Sequence, residues 1–242
     1  MAPQMVSVFM TTGGSTSETP GEAPILPPVL AEGHGWVVLN KPAGLASHAG
    51  PRGGASVEDF FPQLSRRKDG PWLAHRLDAD TAGCLLIALR KSVLVAAQAA
   101  FAASKAGKVY WAVVAGGPAQ DVGVIDAPLL RVSDKTGWRM VADARGDRAL
   151  TEWRVLGRAA GMTWLELRPR TGRTHQLRVH CGLLGAAILG DPVYGAPAAG
   201  VRRLHLLARE LNLPLEPAAS IAAVAPPPDH MTAALTACGW VI

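Results

Sequence analysis

Five apolar segments of strand composition follow one another in the middle of the chain, separated by short turns that contain Gly and Asp. They cover approximately residues 108–115, 122–125, 138–142, 149–156 and 162–168. Connections this short cannot hold the crossover helices that parallel neighbours require, so the pattern predicts antiparallel strands.

Helical patterns lie on both sides of this region. An Ala-rich segment from Ser92 to about Ala106 ends at Gly107, and residues 174–184 and 229–237 also have helical spacing. Further strands are predicted at 36–39, 83–89, 204–211 and 220–224. This mixture predicts an α+β fold with a large, mostly antiparallel sheet flanked by helices.

The chain divides by composition into a tail and one folded unit. Residues 1–30 are rich in Thr, Ser, Gly and Pro, which predicts a disordered N-terminal tail. Residues 31–242 contain no long linker, and this length suits one domain with a sizeable core.

The charge is concentrated in the predicted domain. The formal net charge of the chain is +5, but residues 1–34 carry three acids and no Lys or Arg. The basic remainder favours a polyanionic partner. Arg outnumbers Lys by 18 to 6, and a codon bias that also enriches Ala explains this excess equally well.

Several classes of protein lack support in the sequence. No uncharged apolar run reaches about 18 residues, which argues against a membrane span. The three cysteines, Cys84, Cys181 and Cys238, are far apart and form neither a disulfide framework nor a CxxC metal pair, so a reduced cytoplasmic location is expected. The seven His residues show no HExxH spacing, and no phosphate-binding glycine motif is present, so no metal or cofactor is expected.

Polar residues interrupt the apolar pattern at three places, and each has two interpretations. Asp78 precedes a buried strand, where a carboxylate near Arg76 would stay ionised and serve as a nucleophile or base, or would simply cap a turn. Tyr110 lies where a strand begins, and its ring could stack on a base or belong to the core. Residues 168–180 place several arginines around a helix start, as an anion site or as a solvated surface.

Taken together, these segments resemble the RluA-type family of pseudouridine synthases. The similarity extends over about residues 35–238 and is carried, in order, by Val37–Gly44, by His75-Arg-Leu-Asp78-x-x-Thr81-x-Gly83, by Lys108-x-Tyr110, by Arg170-Thr-Gly-Arg-Thr-His-Gln-Leu-Arg-Val-His180 and by Leu184–Gly195. The sequence departs from the family pattern at Ala82, where a serine is usual, at Cys84, and at Ala186-Ala187.

The resemblance implies a catalytic cleft that isomerises uridine in RNA to pseudouridine without cofactor or metal. It assigns catalysis to Asp78, to Tyr110 as the residue that stacks on the target base, and to Arg173 as the arginine that pairs with Asp78. It also implies RNA contacts from His75, Arg76, Arg170, Gln176 and Arg178, with Arg76 filling the space left by the flipped nucleotide.

The substrate expected from the resemblance is a stem-loop of transfer RNA or ribosomal RNA, bound by a monomer. The N-terminal S4 domain of many family members is not expected, since only about 30 residues precede the catalytic domain. A second function stays open at this point, namely a noncatalytic RNA-binding protein on the same fold.

Overall fold

A large β-sheet dominates the fold. A computed structural model describes residues 25–50, 53–135, 137–195, 200–215 and 219–241 of the chain. Residues 1–24 of the expected N-terminal tail lie outside the described residues. The strands are β1 (Val29–Gly33), β2 (Trp36–Lys41), β3 (Trp72–Leu73), β4 (Ala82–Ala88), β5 (Gly107–Ala115), β6 (Val122–Asp126), β7 (Leu129–Asp134), β8 (Gly137–Ala142), β9 (Leu150–Ala159), β10 (Met162–Pro169), β11 (Leu206–Leu215) and β12 (Ala219–Val224). The helices are α1 (Phe61–Leu64), preceded by a 3-10 turn at Val57–Phe60, α2 (Lys91–Ala102), α3 (Gln176–Leu183) and α4 (Asp229–Ala237).

The large sheet has the strand order β1-β2-β4-β11-β5-β10-β9-β6, while β12 pairs with β11 and β3 pairs with β4. Its neighbours are antiparallel except for the pair of β4 and β11. The α+β class and the mostly antiparallel sheet are therefore confirmed. The antiparallel middle region is also confirmed, since β5, β10, β9 and β6 pair in this way.

The structure differs from the sequence predictions at two places. Strand β7 was not foreseen, and it pairs with β8 in a separate hairpin beside the large sheet. Helix α3 begins at Gln176 rather than at Thr174, because His175 adopts a left-handed conformation (φ 53°, ψ 16°) that ends the preceding turn.

The core lies on both faces of the sheet because side chains alternate along each strand. From β4, Leu86 packs with α2 and α4 on one side, while Leu85 and Ile87 pack on the other side beside the segment that carries Asp78. The contribution of α3 is Leu177 and Cys181, packed against β5 and β10.

A cleft of about 1230 Å³ opens between the segment that precedes β4, the strands β5 and β11, and the start of α3. The close pairing of β4 with β11 depends on Gly83 (φ 109°), since a Cβ at this position would lie 2.3 Å from the carbonyl oxygen of Ala208. Among the described residues, no helix is long and apolar enough to cross a membrane.

Candidate active site

The segment between β3 and β4 carries Asp78 into the cleft, and hydrogen bonds from the neighbouring chain fix it. The hydroxyl of Ser47 donates to the carbonyl of Leu77 (2.7 Å) and accepts the N–H of the same residue (3.0 Å). On the other side of Asp78, the N–H of Gly44 donates to the carbonyl of Ala79 (2.9 Å). The backbone is therefore held on both sides of the carboxylate.

Lys41 provides a further anchor from beneath this loop. Its side chain is fully buried, and its ammonium group donates to the carbonyls of Pro42 (2.9 Å), Leu45 (2.7 Å) and Ala79 (2.7 Å). Burial lowers the pKa of Lys41 to about 7, although the negative charges of Asp80 and Asp78 act in the opposite direction. Such bonds from a charged donor are stronger than neutral ones, so Lys41 joins the Lys41–Gly44 turn to the Asp78 loop.

Two side chains from the region of α3 face the carboxylate. Oδ2 of Asp78 lies 3.7 Å from Nη1 of Arg178 and 3.9 Å from Nε2 of His175. The Asp78 side chain is 29% exposed, so the carboxylate remains open to the cleft.

Arg178 is itself fixed by a buried partner. Its Nε and Nη2 donate to Oδ2 and Oδ1 of Asp191 at 2.8 and 2.7 Å, and Oδ1 also accepts the N–H groups of Val193 and Tyr194. Burial alone would raise the pKa of Asp191, but these hydrogen bonds hold it below its ordinary value. Because two nitrogens of the guanidinium bind Asp191, the third is aimed at Asp78.

The structure does not bring Arg173 next to Asp78, as the resemblance had implied. Arg173 is exposed, its Nη1 lies 3.7 Å from Oδ2 of Asp147, and its Nε donates to the carbonyl of Arg148. It precedes α3 and stands at the rim of the cleft, whereas Arg178 lies in the first turn of the helix on its buried side. Arg173, before the start of the helix, is therefore exposed to solvent, whereas Arg178, inside the helix, is buried.

Tyr110 lines the cleft from the centre of the sheet. It is paired through the backbone with Ala208 on one side and with Leu167 on the other, so its position is fixed by two neighbouring strands. Burial raises the pKa of its hydroxyl, and the charge of Asp78 raises it further. The phenol therefore stays protonated, and Tyr110 lines the same cleft as Asp78.

Two residues expected to bind RNA have their polar atoms engaged inside the protein. Gln176 is buried and bonds to Thr171, Arg173, Leu150 and Thr151. The Nε2 atom of His75 accepts the N–H of Leu86 (3.1 Å), and burial lowers the pKa of its ring to about 4.

The polar atoms of Gln176 and Arg178 are bound within the protein, so RNA contacts from these two residues stay a prediction. His75 lines the cleft as a neutral ring, while Arg76 and Arg170 are exposed at the cleft. Of these, Arg170 forms a bidentate pair with Glu152.

A cluster of aromatic rings beside Asp78 was missed. The ring of His175 stacks on Trp138 of the β7–β8 hairpin with centroids 5.1 Å apart, and its Nδ1 lies 2.9 Å from the hydroxyl of Tyr194. His175 and Tyr194 lie in the two longest segments that resemble the family, and this position could have identified them. Nothing in the sequence indicates that Trp138 contacts them.

The cleft lining holds more cationic than anionic side chains. Six cationic side chains line it against the two carboxylates of Asp78 and Asp80, and they are those of Arg76, Lys108, Arg131, Arg170, Arg173 and Arg178. Such a lining attracts a polyanion. Within the part of the chain that the structure describes, no group of three or more His, Cys, Asp or Glu residues is placed to hold a metal ion.

Comparison with known proteins places this site in a family. Residues 35–182 match the model of the RNA pseudouridylate synthase family. An uncharacterized RNA pseudouridine synthase of Zymomonas mobilis is 40% identical over 81% of this chain and 91% of its own length. Ribosomal large subunit pseudouridine synthase D of Borreliella burgdorferi is 34% identical over 81% of this chain, which spans 63% of that longer relative.

A solved structure agrees with these relatives. Human RNA pseudouridylate synthase domain containing 4 superimposes with a TM-score of 0.73 at 27% identity, covering 88% of this chain and 94% of that one. The chain therefore belongs to the RluA-type family of RNA pseudouridine synthases, which are isomerases acting on uridine in RNA.

Proposed function

We propose that this enzyme isomerises specific uridines in stem-loops of ribosomal RNA, with transfer RNA as the alternative substrate. The reaction breaks the N1–C1′ bond and forms a C5–C1′ bond, while C5 loses a proton and N1 gains one. A uridine stacked in a stem-loop is out of reach of the cleft, so the target base must be flipped out at a cost of about a few kcal/mol. The basic cleft and the similarity to ribosomal large subunit pseudouridine synthase D of Borreliella burgdorferi support this substrate.

Asp78 acts on the ribose, either by attack on C1′ or by removal of the 2′ proton. Both routes need an ionised carboxylate that is open to the cleft and held in one orientation. The observation that carries the proposal is the position of Asp78, facing Nη1 of Arg178 at 3.7 Å inside a basic cleft.

Three further side chains complete the proposed site. Arg178, rather than Arg173, orients Asp78, because its fork is fixed on Asp191. Tyr110 stacks on the flipped uracil, which contributes about 1–3 kcal/mol. The exposed Arg76 fills the gap that the flipped nucleotide leaves in the helix.

The test uses the C5–H bond that the reaction breaks. Transcripts of ribosomal RNA and of transfer RNA labelled with [5-³H]uridine should release tritium with the wild-type protein, and the RNA class that reacts identifies the substrate. Asp78→Asn should release no tritium while its RNA dissociation constant stays nearly unchanged. Asp69→Asn, which removes a carboxylate from an exposed loop, is the matched control and should react at the wild-type rate.

The same assay decides against the alternative of a noncatalytic RNA-binding protein. That function predicts RNA binding without tritium release from either transcript. It is not favoured, because Asp78, Tyr110 and Arg178 are all present and all line one cleft. Turnover by Asp78→Asn would instead refute the proposed mechanism while leaving the enzyme class intact.

The protein is further proposed to act as a cytoplasmic monomer. Support comes from the cleft, whose proposed catalytic residues all belong to one chain, and from three buried thiols without a disulfide. Light scattering during size-exclusion chromatography would reveal a dimer, and fractionation of the cells would reveal another location.

A further inference from the structure

Three side chains beside Asp78 have no part in the function proposed so far. They are His175 at the start of α3, Tyr194 in the turn that follows Asp191, and Trp138 on strand β8. They come from three separate segments and form one connected cluster, in which Nε2 of His175 faces Asp78.

The backbone of His175 is in a conformation that few residues other than glycine adopt. Its φ of 53° and ψ of 16° lie in the left-handed region. Such a conformation persists where the surrounding structure determines it. Here it directs a ring that is only 14% exposed toward the carboxylate of Asp78.

The hydroxyl of Tyr194 favours the tautomer of His175 that carries its hydrogen on Nε2. The phenol oxygen accepts the N–H of Met140 at 2.9 Å and lies 2.9 Å from Nδ1 of His175. With an N–H already bound to this oxygen, the phenol hydrogen is available to Nδ1. A neutral imidazole that accepts at Nδ1 carries its hydrogen on Nε2, which is the atom that faces Asp78.

Trp138 fixes the plane of the same ring. Its indole stacks on His175 with an angle of 23° between the planes, and the guanidinium of Arg131 lies 4.5 Å from the indole centroid. Burial lowers the pKa of His175, which favours the neutral form, although the charge of Asp78 opposes this effect. The ring is therefore held by a hydrogen bond at one edge and by stacking on one face.

We propose that His175 is a positioning residue for Asp78, donating from Nε2 to Oδ2 and aimed by the hydroxyl of Tyr194. This inference rests on the proposed catalytic role of Asp78. The present distance of 3.9 Å exceeds a hydrogen bond, and such bonds often shorten only in the substrate complex.

The arrangement explains how the carboxylate is kept in one orientation. Both Nη1 of Arg178 and Nε2 of His175 face Oδ2, so Oδ1 is left for the substrate. The turn at Asp191–Tyr194 supports both donors, because Asp191 fixes Arg178 and Tyr194 fixes His175. A single turn thus positions both side chains that face the carboxylate of Asp78.

Single-turnover tritium release from the RNA that the wild type modifies tests the proposal. Tyr194→Phe keeps the ring and removes only the hydroxyl, and it should slow the reaction about three- to tenfold, the effect of one hydrogen bond. The RNA dissociation constant should not change. His175→Leu should be slower still, and His175→Gln should recover part of the rate because its amide also offers a donor in place of Nε2.

A double-mutant cycle separates positioning from general damage to the fold. If the hydroxyl acts through His175, Tyr194→Phe should slow the wild type but not the His175→Leu variant. The matched control is His34→Leu, at an exposed turn between β1 and β2, which should react at the wild-type rate.

Three results would overturn the inference. They are a wild-type rate for Tyr194→Phe, rate losses that multiply independently in the double variant, and a loss confined to RNA binding. Should His175→Leu fail to fold, the rates of Tyr194→Phe and His175→Gln still decide. A wild-type protein that releases no tritium from either RNA class would refute the proposed function and this inference together.

Discussion

Two arginine–carboxylate pairs in this protein share the same fork geometry in opposite surroundings. Arg178 binds Asp191 at 2.8 and 2.7 Å with side chains only 4% and 0% exposed. Arg170 binds Glu152 at 2.8 Å through both nitrogens, with side chains 61% and 38% exposed. Hydrogen-bond length therefore does not predict how much each pair stabilises the protein. Burial determines how much stability is lost when one partner is removed.

The physical reason lies in solvation. A charge left alone in the interior has no water to replace its partner, so breaking a buried pair costs about 3–5 kcal/mol. At the surface, water and salt compensate, and an exposed pair contributes about 0–1 kcal/mol. The buried pair also aims a nitrogen at Asp78, whereas the exposed pair lies at the rim of the cleft.

The largest effect is expected from Asp191→Asn. The amide keeps the volume but removes the charge that neutralises Arg178, so the free energy of unfolding should fall by about 3–5 kcal/mol. Tritium release should fall as well, since Arg178 would no longer be fixed. Urea unfolding followed by circular dichroism measures the first effect.

The pH dependence of stability gives this prediction a second readout. The pKa of Asp191 is lower in the folded protein than its ordinary value. Its stabilisation is therefore complete above about pH 4, the unfolded value, and is lost as the pH falls through the lower folded pKa. Asp191→Asn should lose less stability in this range than the wild type, and parallel acid titrations of the two proteins would contradict the buried-pair interpretation.

Arg178→Lys should have the next largest effect, mainly on turnover. A lysine keeps the positive charge but cannot bind Asp191 with a fork and face Asp78 at once. The contact of Nη1 with Asp78 is 3.7 Å and is expected to shorten to a hydrogen bond in the substrate complex. Losing such a bond to a charged group costs about 1.5–3 kcal/mol, equal to a roughly ten- to hundredfold slower single-turnover rate. A rate within twofold of the wild type would show that the third nitrogen of the fork is not needed.

Much of the scaffold was predictable because it depends on local patterns. The five apolar segments with short turns identified β5, β6, β8, β9 and β10, and the position of Asp78 before a buried strand placed it at the mouth of the sheet. Strand β7 was missed because its apolar residues lie at Leu129, Leu130 and Val132 and do not alternate regularly before Ser133 and Asp134.

The choice between the arginines of residues 170–178 was not predictable in the same way. Arg173 and Arg178 are five residues apart, and their roles depend on where α3 begins, which the left-handed His175 determines. The partner of Arg178 lies 13 residues later at Asp191, beyond the end of the helix, and the stack of Trp138 on His175 joins residues 37 apart. Such long-range contacts are set by tertiary packing and leave no periodic signal.

The same substitution at Arg173 should have a much smaller effect than at Arg178. Arg173→Lys keeps a cation at the exposed rim, where a point charge serves a phosphate nearly as well as a fork. The RNA dissociation constant should rise less than about fivefold, equal to about 1 kcal/mol. Filter binding at several salt concentrations measures it, and a tenfold loss of single-turnover rate would restore the pairing of Arg173 with Asp78 in the substrate complex.

Glu152→Gln should have the smallest effect and gives the sharpest contrast with Asp191→Asn. Both variants replace the carboxylate of an arginine fork by an amide, in an exposed pair at Glu152 and in a buried pair at Asp191 that also accepts two backbone N–H groups. At the exposed site the free energy of unfolding should change by less than about 1 kcal/mol. RNA binding should be equal or tighter and somewhat more salt-dependent, since a negative charge leaves the basic cleft rim and Arg170 becomes available to phosphates. If Glu152→Gln destabilised the protein as much as Asp191→Asn, burial would not determine how much such a pair contributes to stability.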